Sequence, residues 1–329
     1  MTWLTWRQFR VPVVSVYAAL VAIGVALAIT GPDLVGRTDF SDQEVPYYGG
    51  LFAVYLLPAV VGVFWGVPMV TRELETGTHS LVWNQTVTRS RWLATKLGIG
   101  VLAAMAAAGL LSLAVGWWAS PIDAAATSTN EGAFLSRITP VVFAARGIAP
   151  IGYAAFAFVL GIAVGILLRR TVSAMAVTLI VFVAVQVAVP MMVRPYLLPA
   201  SEETVTITAD NIRSVIGTES GPEALEVANP TGVWVLANET VDRDGNAVFP
   251  LPDVVSDCLP APRSGSAAVP DVAQLNECFA QLTSAGYDQR LEYQPGSRFW
   301  PLQWLETAMF LALTGLLAWF CFRRLRHLS

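Results

Sequence analysis

The sequence predicts an all-α polytopic membrane protein. It has six transmembrane helices, N and C termini cytoplasmic, and a small mixed α/β extracellular domain between helices 5 and 6. Three observations predict this. The 329-residue chain is 55% hydrophobic and only 13% charged, with a mean hydropathy of +0.56, whereas soluble domains carry about 25% charged residues. Its apolar runs are continuous and about 20 residues long, which is helix length for a bilayer; barrel strands are about half that and alternate. Finally, eleven of the 20 basic residues fall on the segments assigned to the inner side, against two of the 24 acidic ones, Glu73 and Glu75. Basic residues flanking spans collect on the cytoplasmic face.

The elements follow in order. Residues 1–10 place Trp3 and Trp6 beside Arg7 and Arg10, a composition suited to a short interfacial helix. Val11–Ile29 is the first span. A cleaved signal peptide is the competing reading, but the run exceeds the usual apolar core of about 7–15 residues, which favours a retained helix. Thr30–Tyr48 is an acidic outer loop, and Leu51–Val70 is the second span, with Pro58 and Pro68 inside it. Leu97–Trp118 is the third span, Ser120–Ala145 an outer loop whose part Phe134–Phe143 lies along the surface, and Ile148–Leu168 the fourth span. Arg169 and Arg170 stop that span on the inner side, and Val172–Val193 is the fifth. Residues 194–300 form the extracellular domain, and residues 301–329 the sixth span and a basic tail. Spans two and four each carry a G-x-x-x-G, at Gly62/Gly66 and Gly161/Gly165, a spacing that lets helices approach closely.

Within the outer segment, Thr204–Thr208 and Gly232–Val241 read as strands, the second followed by the turn signal Asp242–Asn246. Asp271–Ala285 reads as a helix capped by Asp271, stopped by Gly286 and striped by Val272, Leu275, Phe279 and Leu282. Cys258 and Cys278 both fall on the predicted outer side, where oxidation is permitted, and a disulfide between them is expected. Cys321 reads as a small apolar filler. Both histidines, His79 and His327, fall on the inner side, and no catalytic or metal-ligand spacing is present.

The organising stretch is Arg72–Lys96, between spans two and three, within a loop spanning 71–96. Leu74, Thr78, Leu81, Val82 and Gln85 fall on one helical face. From amphipathicity alone, such a helix suits either interfacial packing or docking of a soluble partner. For Arg89, Arg91 and Lys96, anchoring at the inner leaflet stands beside a direct partner contact. In the membrane, Glu306 and Gln186 are costly polar residues and therefore candidates for a pathway or gate. Glu306 has Arg146 and Arg298 as possible partners, and a gate or packing ion pair near the outer interface is the favoured role. The aromatic walls offered by Phe64, Trp65, Phe156, Phe158 and Phe182 suit a lipophilic cargo or contact with lipid.

R-E-x-E-x-G-T followed by Q-x-V-T-R-x-R-W-x-x-x-K resembles the loop between spans two and three of ABC-2 type transporter permeases, in particular the actinobacterial family. Arg146–Phe158, Leu168–Met175 and Tyr293–Glu306 resemble the same family. The resemblance covers nearly all the membrane part and is weakest over Pro199–Asp288. It implies a coupling helix that docks on a separate ABC ATPase subunit through Arg72, Glu73, Glu75, Gly77, Thr78, Gln85, Arg89, Arg91, Trp92 and Lys96. It also implies a second permease copy, a homodimer, and export of a lipophilic or amphipathic cargo. The only lysine, Lys96, follows R-W-L-A-T, so no phosphate-binding G-x-x-x-x-G-K-[ST] exists here. ATP and Mg are therefore expected on the partner and no cofactor in this chain. Membrane lipid is an expected partner and nucleic acid is not. A membrane-anchored receptor or assembly protein acting through its extracellular domain is the alternative reading.

Overall fold

The computed structural model describes residues 2–76, 88–128, 134–218, 221–251 and 272–326. It divides into two compact units, Met1–Leu198 with Ser297–Ser329, and Pro199–Gly296.

Among the described residues, six helices are long and apolar enough to cross a membrane: Arg10–Leu34, Ser41–Glu75, Arg89–Thr127, Ala149–Leu168, Thr171–Tyr196 and Gly296–Arg326. They are called spans one to six below. Several are longer than the apolar runs suggest. Residues Thr2–Thr30 form one unbroken helix through Pro12, so the expected interfacial helix and the first span are continuous. Proline is the only breaker there, and a membrane helix tolerates it where neighbours satisfy the freed carbonyl. The third span likewise continues through Pro121 to Ser128, past the expected stop at Trp118. Pro121 cannot donate to the carbonyl of Trp117, and the Ser120 hydroxyl donates to that carbonyl instead, at 2.8 Å. The stretch expected along the surface folds inward: Ile138, Val142 and Phe143 are buried.

Span four is apolar all round, and it is buried almost without interruption from Ala149 to Ile166. A helix of that kind belongs in the centre of a bundle, and spans two, three, five and six pack around it. Arg169 ends it in the left-handed conformation, φ 54°, a common helix terminator. Two residues thus suffice to reach span five, which starts at Thr171.

The two G-x-x-x-G patterns face each other. A Cβ on Gly62 would lie 2.7 Å from the carbonyl oxygen of Ala157, and one on Gly66 would meet the carbonyl oxygen of Phe158. A Cβ on Gly161 would meet the carbonyl oxygen of Gly62. Spans two and four therefore touch backbone to backbone. Span two also carries a π turn at Val61–Gly66, between Pro58 and Pro68, and span five carries another at Val189–Val193, containing Pro190.

The second unit holds a three-stranded antiparallel sheet ordered β1 (Ser201–Val205), β5 (Asp288–Gln294), β4 (Trp234–Val241), and a hairpin of β2 (Ile212–Thr218) and β3 (Gly221–Val227). The first strand starts three residues earlier than its alternation suggests, because Ser201–Val205 pairs with Tyr293–Gln289. Ile207, Leu225, Val227, Leu251, Phe279, Leu282 and Leu291 form its core. Buried Gln289 ties the layers together by donating to the Leu225 carbonyl at 2.7 Å and to Asn238 at 2.8 Å. The expected turn forms at Asp242–Asn246, with Gly245 at φ 79°. The backbone N–H of Asn246 holds the Asp242 carboxyl below its ordinary range. Val272–Ala285 is helical and Gly286 ends it at φ 92°. The Asp271 cap, Cys258 and the Cys278 side chain lie outside the described residues, and so does the expected disulfide.

Candidate functional site

Polar clusters interrupt the apolar bundle, and two of them hold the residues assigned by sequence to docking and to a gate. The first joins the ends of the organising stretch. The last turn of span two brings Glu73 against the first turns of span three. Lys96 Nζ donates to Glu73 Oε1 at 2.6 Å and to the Met69 carbonyl at 2.7 Å. Trp92 Nε1 donates to Glu73 Oε2 at 3.1 Å, and the ammonium of Lys96 lies 4.5 Å from the Trp92 ring centre. Lys96 and Trp92 are buried. Glu75 reaches span five, accepting from Thr171 N at 2.6 Å and Thr171 Oγ1 at 2.8 Å. A carboxylate there supplies acceptors for the unpaired N–H groups of a helix start and suits its dipole. Thr71 Oγ1 also meets Thr171 Oγ1 at 2.7 Å. Spans two, three and five are thus fastened together at this end.

This sorts the residues assigned to docking by sequence. Glu73, Glu75, Trp92 and Lys96 hold the base of the loop, while Arg72 and Arg91 are exposed and Arg89 is half-buried. Gly77, Thr78 and Gln85 lie outside the described residues, with most of the amphipathic face. Lys96→Ala is expected to lower the unfolding midpoint of the purified protein. Its cost should exceed the roughly 1 kcal/mol of a surface pair. It should fall short of the about 3–5 kcal/mol for breaking a fully buried one, because the Glu73 side chain keeps 14% exposure. An unchanged midpoint would mean the pair does not hold the loop.

The second cluster lies toward the opposite end of the bundle. Glu306 on span six receives Arg194 of span five in a bidentate pair, Nε to Oε2 at 2.7 Å and Nη2 to Oε1 at 2.8 Å. Both side chains are 0% exposed. Tyr153 of span four donates its hydroxyl to Glu306 Oε1. The remaining Arg194 nitrogen, Nη1, donates to the Pro140 carbonyl at 3.1 Å, and the guanidinium lies over the Phe143 ring at 4.3 Å. Glu306 is therefore paired, as its position demands, but with Arg194, where the sequence offers Arg146 or Arg298. Arg146 pairs with Asp123 at 2.9 Å. Arg194 is the partner because span five continues to Tyr196. That continuation keeps inside the bundle a residue the sequence assigns to the outer domain.

Gln303, one turn before Glu306, is a buried polar position that hydropathy does not single out. Its Oε1 accepts from the backbone N–H groups of Ile148 at 3.0 Å and Ala149 at 2.8 Å, and its Nε2 donates to the Phe143 carbonyl at 2.9 Å. It caps the start of span four. Its signal is spacing: Gln303, Glu306, Thr307, Phe310 and Thr314 share one helical face, and all five are buried. Trp65 is buried in the π turn of span two, in the same apolar core as Phe158. Phe156 and Phe182 are buried too, and of the expected aromatic walls Phe64 alone is exposed. Gln186 stays apart from both clusters, its Nε2 buried without a hydrogen-bond partner among the described residues.

The family described as ABC-2 membrane transporter related matches residues 13–194 of this chain. That is more than half of its length, and it takes in Glu73, Lys96, Tyr153 and Arg194. No curated protein and no solved structure matches the chain. With six long apolar helices and a match across the first five of them, the chain belongs to the ABC-2 membrane transporter related family, the membrane permeases of ABC transporters, and is a multi-pass protein of the cell membrane.

Proposed function

We propose that this chain is the permease subunit of an ATP-binding cassette exporter that moves a lipophilic or amphipathic cargo out of the cell. A separate ATPase docks on the stretch 72–96 and binds the ATP and Mg. Two permease copies work with two ATPase copies. Both termini and the stretch 72–96 face the cytosol, and the unit Pro199–Gly296 faces outward, as the distribution of basic residues supports.

The observation that carries this reading is the fastening of the loop. A force applied to residues 77–87 reaches spans two and three through Glu73, Trp92 and Lys96, and span five through Glu75. Span five in turn joins spans four and six at the other end through Arg194. It is the element common to both clusters. Closure of the ATPases would move the loop and its three spans as a body. The π turns beside Pro58 and Pro190 give spans two and five places to bend.

The test is co-purification of the tagged chain from its native membrane. A Walker-containing ATPase is expected in stoichiometric amount. Arg72→Glu with Arg91→Glu, both exposed, is expected to reduce its recovery about tenfold or more while the permease stays monodisperse. A preparation without ATPase, under conditions that preserve other ABC complexes, would overturn the proposal. So would full ATPase recovery with the double charge reversal.

A further inference from the structure

A cavity of about 780 Å³ lies between span three, the stretch 137–151 and the first turn of span six. That is within the size range of small-molecule sites. The only acid among its described lining residues, Asp123, is fully engaged. Asp123 Oδ1 accepts from Tyr47 at 2.8 Å and from Arg146 Nη2 at 3.4 Å, and Oδ2 accepts from Arg146 Nε at 2.9 Å. The hydroxyls of Ser112, Ser120 and Thr127 all donate to backbone carbonyls. Two donors remain. Arg146, itself buried, keeps Nη1 without a hydrogen-bond partner. Arg137 is exposed, lies 4.9 Å from the Phe299 ring centre and makes no ion pair among the described residues. With Asp123 and Arg146 cancelling, the described lining residues carry one net positive charge, on Arg137, and Arg146 beside it holds a buried N–H without a partner among the described residues.

The other walls are apolar. Ile148 and Ile151 line the inside, and Leu113, Trp117 and Trp300 are each at least half exposed on the rim. We infer that this cavity binds an amphiphile with a single anionic head group, a phosphate or carboxylate carrying an apolar chain. The head lies between Arg137 and Arg146, and the chain leaves past Trp117 and Trp300. A charge-assisted contact to Arg137 is available only to an anionic head. A choline head brings its own cation against that charge. The site stands on the cavity and requires no ATPase, so its fate is separate from that of the transport reading.

The experiment places the full-length purified chain in phosphatidylcholine nanodiscs containing either brominated phosphatidylglycerol or brominated phosphatidylcholine, and reads tryptophan quenching. Quenching by the anionic lipid is expected to exceed that by the zwitterionic one, and the excess is expected to vanish in Trp117→Phe/Trp300→Phe. Arg137→Gln is expected to weaken the preference about tenfold, as for one lost charge-assisted hydrogen bond. Gly116→Leu fills the cavity without altering charge. A Cβ there meets nothing closer than Arg146 Cδ at 3.9 Å, and the same loss is expected. Competition by added hexadecanoate would identify a freely exchanging amphiphile as the ligand, and its absence a bilayer phospholipid. Equal quenching by the two brominated lipids, or a preference untouched by Arg137→Gln and Gly116→Leu, would overturn the proposal.

Discussion

Glu306→Ala is expected to destabilise the purified protein by about 3–5 kcal/mol, the cost of stripping one partner from a buried ion pair. Arg194 would be left fully buried with its charge uncompensated, since Nε and Nη2 both donate to Glu306 and Nη1 has only the Pro140 carbonyl. Arg194→Ala should cost a similar amount, because Glu306 would then keep only the Tyr153 hydroxyl. Tyr153→Phe removes one donor and should cost about 1–3 kcal/mol. The informative variant is Glu306→Leu with Arg194→Met. Replacing a whole buried pair by apolar groups of similar volume is often neutral or stabilising, so the double variant should recover most of the loss. If transport nonetheless stays lost while stability returns, the pair acts as a gate whose charges must separate and rejoin. A wild-type unfolding midpoint for Glu306→Ala would show that the pair does not form.

The same pair shows where the sequence was readable. A carboxylate one turn and a half inside an apolar run is costly in a membrane, so Glu306 announced itself. Its partner did not, because hydropathy places a span boundary only to within a few residues. Val193 looked like the end of span five, and the next residue, Arg194, fell on the polar side of the line. A shift of three residues moves that arginine from solvent into the core. Asp123 was lost in the same way, since the apolar run ends at Trp118 while the helix continues through Pro121 to Ser128, with Ser120 satisfying the carbonyl that Pro121 frees. Glu73 and Lys96 were legible as residues of the loop but not as a pair. On span counting, a lysine beside a membrane is an interfacial anchor, and nothing in its spacing reveals that it turns inward to Met69 and Glu73. The paired glycine motifs, by contrast, were legible as a place of close packing, though the sequence could not say which helices met.

Gly161→Leu should therefore be among the most damaging single changes in the bundle. Its Cβ would meet the carbonyl oxygen of Gly62 and sit 3.0 Å from the backbone nitrogen of Val67. Neither atom can rotate away as a side chain would. Gly66→Leu meets the mirror problem, against the carbonyl of Phe158. Ordinary overpacking costs about 1–3 kcal/mol. Here the helices themselves must separate, which also uncovers span four, so the cost should exceed that range and the yield of monodisperse protein should collapse. Gly98→Leu and Gly315→Leu are the controls, because a Cβ at either position meets nothing within 4 Å. Both should stay within about 0.5 kcal/mol of wild type. If Gly161→Leu unfolds at the wild-type midpoint, spans two and four do not meet at their glycines. In the proposed coupling, that would also remove the direct backbone route from span two to the central helix. Span two ends at Glu75, at the edge of the stretch 72–96, and in the proposed coupling its backbone contact with span four would carry a movement of the loop to the central helix.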